Sequence, residues 1–90
     1  MSEKYSPSQK QHQKQTDLYK IVLYNDDVNT FDFVIEMLML YCNHTLLQAE
    51  QCAILTHYKG KSIVKNGTYE KLEPIATTLL EKGLSVEIEN

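Results

Sequence analysis

Directly behind an apolar run, LYKIVLY, the chain reads YNDDVNT from Tyr24 to Thr30, so Asn25, Asp26, Asp27 and Asn29 present side-chain oxygens in close succession. Oxygens gathered at the exit of a strand suit three tasks. They can close a turn, because Asn and Asp bond their own backbone and cap helices. They can hold a hard cation, which takes several oxygen ligands. Or they can hold an ammonium group, whose N–H donors are costly to desolvate unless acceptors surround them.

For a cation, Asp26 and Asp27 supply two carboxylates, but no third follows at loop spacing and no D-x-D-x-D-G pattern is present. A nucleophilic enzyme needs Ser, Cys or Lys beside a base. His57 has the chemistry of a base, yet no G-x-S-x-G, H-E-x-x-H or C-x-x-C element accompanies it. For an ammonium group, Asn25 and Asp26 are suitable acceptors, and a neutral His57 adds a ring nitrogen if its helix ends beside the loop. Taken alone, His57 reads as an ordinary surface or core histidine. Cys42 and Cys52 lie in helix-like apolar patterns and read as buried thiols.

The elements that must position these residues follow from pattern. A chain of 90 residues makes one domain, too small to enclose a deep active site without losing stability, which favours binding at a shallow surface site. Residues 1–17 are rich in Gln, Lys and Ser with almost no aliphatic side chains, so a flexible N-terminal extension is expected there, with His12 solvated; the folded domain is expected over 18–90. LYKIVLY reads as a strand. TFDFVIEMLMLYC has helical spacing, with Asn29 or Thr30 as N-cap and Asp32 in the first turn. Thr45 followed by Gln48 is a capping-box signature for a second helix, LLQAEQCAILTHY, stopped by Gly60. Lys61 to Lys65 reads as a short strand, Asn66-Gly67 as a turn, and TYEKLEPIATTLLEK as a third helix capped by Thr68. Pro74 implies either a kink near the first turns of that helix or a start at Pro74 with Glu73 as cap. After Gly83, LSVEIE alternates as a half-buried strand with Leu84, Val86 and Ile88 inward. The expected fold is α+β: β-α-α-β-α-β, a three-stranded sheet packed on three helices.

The formal charge of −3, with no concentration of Lys and Arg, argues against nucleic-acid binding. There is no apolar run long enough for a membrane span and no basic-then-apolar leader, so the expectation is a cytoplasmic protein. Nothing in the pattern signals an oligomer, and a monomer without cofactor or metal is expected.

Taken together, YKIVLYNDD, a helix beginning FDFVIEML, and HYKGK at the end of the second helix resemble the adaptor of the bacterial Clp protease, the ClpS family. The likeness runs from about Tyr19 to Glu89, and the ordered set is more specific than a lone NDD. It implies a non-catalytic module that recognises N-degrons, proteins whose first residue is Leu, Phe, Tyr or Trp, and hands them to a Clp-type AAA+ unfoldase. In the family, the positions matching Asn25, Asp26 and His57 bind the substrate's α-amino group. By the same matching, Asp27, Asn29, Thr30, Phe31, Ala53, Thr56 and Leu84 fall on or near the wall of the pocket for its side chain.

Some positions depart from the family's pattern. Familiar members read N-D-D-Y-T-P-M-E-F-V where this chain has N-D-D-V-N-T-F-D-F-V, so Asn29 replaces a Thr and Phe31 a Met. Ala53 stands where many members carry a Met that narrows the pocket, which implies room for Ile or Val as a first residue, opposed by the bulk of Phe31. In the family a Glu early in the third helix and a Lys further along it touch the unfoldase's N-terminal domain; Glu70 matches the first, but Ile75 stands near the second. The alternatives are a small metal-dependent hydrolase or phosphotransfer module using Asp26, Asp27 and His57, and a ribosome-associated α+β module, which the acidic charge disfavours.

Overall fold

The computed structural model describes residues 19–90; the flexible extension read over 1–17, with His12, lies outside them. The element order is β1 (Tyr19–Tyr24), α1 (Phe31–Tyr41), α2 (Leu46–Lys59), β2 (Lys61–Gly67), α3 (Tyr69–Glu81) and β3 (Val86–Glu89), as the pattern requires. The sheet runs β2-β1-β3, and β1 is antiparallel to both neighbours. On this central strand Ile21, Val22 and Leu23 are all buried, in keeping with the unbroken apolar run.

Each helix starts where its capping residue sits. The Thr30 hydroxyl accepts from Phe33 N–H at 3.1 Å, with Asp32 in the first turn of α1. Thr45 and Gln48 form the full capping box of α2, with both reciprocal bonds present. Gly60 ends that helix at φ 93°, a left-handed conformation that costs glycine least. Thr68 caps α3 by accepting from Lys71 N–H.

One expectation needs correction, and of the two readings of Pro74 one falls. Asn66 and Gly67 make no hairpin turn but extend β2, opposite Lys20 and Tyr19. The capping residue Thr68 follows directly, so the strand passes into α3 without a tight reversal. One residue more on β2 than on β1 is absorbed as a bulge, Ile21 facing Lys65 and Val22 facing Ile63. Helix α3 does not start at Pro74. It runs from Tyr69 through Pro74 to Glu81, so the missing proline N–H falls inside the helix. The Pro74 carbonyl accepts from the Thr78 hydroxyl at 2.9 Å.

The core lies between the helices and one face of the sheet. Leu38 on α1, Ala49 on α2, Leu72 and Leu79 on α3, and Ile21 on β1 are its most buried members. Cys42 joins them, and burial pushes its thiol up to about 11, as expected of an inert packing thiol. Leu84 and Val86 point inward as read, while Ile88 is half-buried. Among the described residues no helix is long and apolar enough to cross a membrane.

Truncating Leu79, which is fully buried, is expected to destabilise the fold by about 2–5 kcal/mol, seen as a lower urea midpoint at unchanged slope. Pro74→Ala restores an intrahelical donor and is expected to raise that midpoint; a fall would mean that the proline ring packs favourably where it stands.

Candidate functional site

The exit of β1 is stitched to two distant pieces of chain. Tyr24 N–H donates to the Ser85 carbonyl at 2.8 Å, and Asn25 N–H donates to the Gly60 carbonyl at 3.0 Å. The first bond holds the α3–β3 connection against the strand end. The second brings the last turn of α2, and with it His57, beside the polar loop.

A cavity of about 300 Å³ opens at this junction. Of the residues singled out for a substrate pocket, Asn25, Asp26, Asp27, Asn29, Phe31, Ala53, Thr56, His57 and Leu84 all line it. Thr30 does not; its hydroxyl caps α1. Glu70 also lies elsewhere, exposed in the first turn of α3, and Ile75 packs partly against the core. The sequence reading missed Leu23, Tyr24 and Val34 in the lining. Leu23 had a legible signal, as the last buried residue before the loop. Val34 stands one helical turn beyond Phe31 on the same face, which the spacing could have revealed.

The cavity has an apolar side and a polar end. Leu23, Ala53 and Leu84 are buried wall residues, and Phe31 is a partly exposed rim residue at 45%. The Thr56 hydroxyl is already engaged: it donates to the Cys52 carbonyl at 2.8 Å and shares a hydrogen bond with Ser62 Oγ at 2.7 Å. These bonds tie Thr56 to its own helix and to β2.

The acceptors at the polar end divide into two kinds. The Asp26 carboxylate receives four hydrogen bonds, Oδ1 from Val28 N–H and Asn29 N–H at 2.9 Å each, Oδ2 from Asn29 Nδ2 at 2.9 Å and Ser85 Oγ at 3.1 Å. A carboxylate offers about four lone-pair sites, so Asp26 is satisfied within the protein. Burial pushes its pKa up, but the bonds from Asn29, Val28 and Ser85 outweigh that and hold it below the ordinary value. By contrast, the side chains of Asn25, Asp27 and His57 are exposed and make no hydrogen bond among the described residues. They are acceptors left open at the polar end, as is Asn29 Oδ1 among the described residues. His57 meets Tyr58 edge-on, ring centroids 5.0 Å apart.

This arrangement suits a ligand with an apolar side chain next to a donor-rich cationic head. It suits a metal ion less well, since among the described residues no group of three or more His, Cys, Asp or Glu could hold one.

A family model described as ATP-dependent Clp protease adaptor protein ClpS matches residues 14–87. Curated relatives described as ATP-dependent Clp protease adapter protein ClpS include one from Shewanella piezotolerans, 44% identical over 50 residues covering 56% of this chain and 49% of that protein. Another, from Acetivibrio thermocellus, is 39% identical over 57 residues covering 63% and 58%. The chain thus spans about half the length of the curated relatives it matches. A solved structure described as Agrobacterium tumefaciens ClpS2 bound to L-phenylalaninamide shares the fold, with a TM-score of 0.69 and 22% identity over 82% of this chain and 96% of that one.

The depressed Asp26 pKa sets a sign for acid stability. A carboxyl whose folded pKa lies below its unfolded value of 3.8 adds stability at higher pH, and loses it as pH falls through the folded value. Asp26→Asn is therefore expected to lower the melting temperature at neutral pH and to narrow the gap to wild type in strong acid. A gap independent of pH would show that the charge of Asp26 does not act through this network.

Proposed function

Since the chain belongs to the ClpS family of ATP-dependent Clp protease adaptor proteins, we propose that it binds the free N-terminal residue of substrate proteins and delivers them to a Clp-type AAA+ unfoldase. The observation that carries this reading is the union, in one open cavity, of apolar walls with the acceptors Asn25, Asp27 and His57, whose side chains make no hydrogen bond among the described residues. A protein's first residue has the matching shape: a side chain beside a primary ammonium. The Asn25 side-chain oxygen, a His57 ring nitrogen and, in place of the Asp26 read from the sequence, an Asp27 carboxylate oxygen each take one of its N–H donors. Asp26 adds negative charge close by while its own lone pairs stay on the loop.

Selection of a chain end follows from the same groups. An internal or acetylated amide lacks the charge and the extra donors, and each acceptor left unpaired costs roughly 1–3 kcal/mol. The walls select the side chain: Leu, Phe, Tyr and Trp fill apolar space that Ser does not. Ala53, small and buried in the wall, leaves room for the β-branched side chains of Ile and Val beneath the Phe31 rim. The protein acts as a non-catalytic, cytoplasmic monomer, and Glu70 on α3 is its contact with the unfoldase's N-terminal domain.

Anisotropy of labelled peptides differing only in residue one tests the proposal. Free Leu, Phe, Tyr and Trp peptides are expected to bind, with Ile and Val weaker but above Ser, and acetylation is expected to abolish binding. Asp27→Asn and His57→Ala should each weaken the free peptides by about tenfold or more, the loss of one hydrogen bond to a charged group. Ala53→Met should remove Ile and Val binding first. Equal binding of free and acetylated peptides would contradict the proposal; Ile and Val peptides as weak as Ser would contradict only the role given to Ala53.

A further inference from the structure

We propose that Ser85, which lies outside the cavity lining, is a positioning residue for amine recognition and acts with Asn29 through the carboxylate of Asp26, an inference that rests on the N-terminal amine being the ligand. Asp26 Oδ2 is the meeting point of two side chains from different parts of the chain, Asn29 Nδ2 at 2.9 Å from the loop and Ser85 Oγ at 3.1 Å from the α3–β3 connection. Asn29 Nδ2 makes a second bond across the same gap, to the Gly83 carbonyl at 2.8 Å. The left-handed turn at Gly83, φ 97°, gives the connection the sharp reversal at which that carbonyl is presented.

These bonds link the two halves of the proposed binding task. On one side are Asn25 and Asp27, the immediate neighbours of Asp26, whose backbone geometry is set by its bonds to Val28 and Asn29. On the other is Leu84, between Gly83 and Ser85, which forms part of the apolar wall. The distance from amine acceptors to side-chain wall is the register in which a first residue must be read. The latch of Asp26, Asn29 and Ser85 fixes it, because hydrogen bonds to a carboxylate are stronger and more directional than neutral ones.

The Ser85 hydroxyl is separable from the fold. Its backbone carbonyl holds Tyr24 N–H independently of the side chain, so Ser85→Ala removes the latch contact and leaves the strand pairing in place. Asn29 lines the cavity as well as bonding to Asp26, and Asn29→Asp separates those roles. A carboxylate there attracts an ammonium directly, but it cannot donate to Asp26 or Gly83.

Binding of a Phe-initiated peptide, free and acetylated, is measured for the wild type and for Ser85→Ala, Ser85→Thr and Asn29→Asp, with thermal melting and amide hydrogen exchange on each. The expected result is weaker free-peptide binding by about threefold for Ser85→Ala and about tenfold for Asn29→Asp. Ser85→Thr, which keeps the hydroxyl, should restore wild-type binding. Ser85→Ala should speed exchange at Val28 and Asn29 without changing it at Leu38, and should shift melting by no more than about 2 °C. Wild-type affinity in Ser85→Ala, failure of the Thr variant to restore binding, or tighter binding by Asn29→Asp would each overturn the latch. A wild type that binds free and acetylated peptides alike would instead overturn the amine reading, and the latch would fall with it.

Discussion

Two backbone hydrogen bonds at the exit of β1 hold the whole site together, Tyr24 N–H to the Ser85 carbonyl and Asn25 N–H to the Gly60 carbonyl. Residues 25, 57 and 84 belong to a loop, a helix end and a connection that are far apart in sequence. They meet because a central strand ends where its edge neighbours begin or are approached. Backbone bonds suit this role, since they tolerate side-chain variation and have narrow distance and angle preferences. The polar loop is then free to carry acceptors that no turn requires.

The small domain also explains why the site is open. With the core formed by Ile21, Leu38, Leu72, Leu79 and their neighbours, the described residues supply no further layer to roof a cavity. The site instead uses the upper part of that core as its floor: Leu23, Ala53 and Leu84 belong to the packed interior and to the cavity wall at once. Recognition of a chain terminus is compatible with such a shallow site, because the terminus is already exposed on its own protein and its charge supplies much of the selectivity. Asp26 illustrates the division of labour. It satisfies loop donors, keeps its charge, and leaves Asn25 and Asp27 to face outward.

Much of this was legible in the residues, and the exceptions have physical causes. Period-two and helical spacing sufficed for the element order, and Thr30, Thr45 and Thr68 marked three helix starts because capping is a local interaction. Asn66-Gly67 misled because the pair favours a turn only when a second strand must return at once; here a capped helix follows and the pair stays extended. Pro74 could be read as a helix start, but the Thr68 cap and the buried Leu72 ahead of it hold the earlier turn helical. Within the site, the residue types pointed to the loop and to His57. What they could not reveal was which carboxylate is engaged, since Ser85 bonds to Asp26 across 59 positions of chain.

The central claim is that the open end of the cavity reads a primary amine, and NMR titration with two small ligands tests it most directly. L-phenylalaninamide and 3-phenylpropionamide share the ring and the amide and differ in the amino group. The account predicts saturable shifts at Asn25, Asp27, His57 and Leu84 with the first, and no saturation at matched concentration with the second. Equal shifts from both ligands, or shifts confined to another surface such as the outer face of α3, would contradict it.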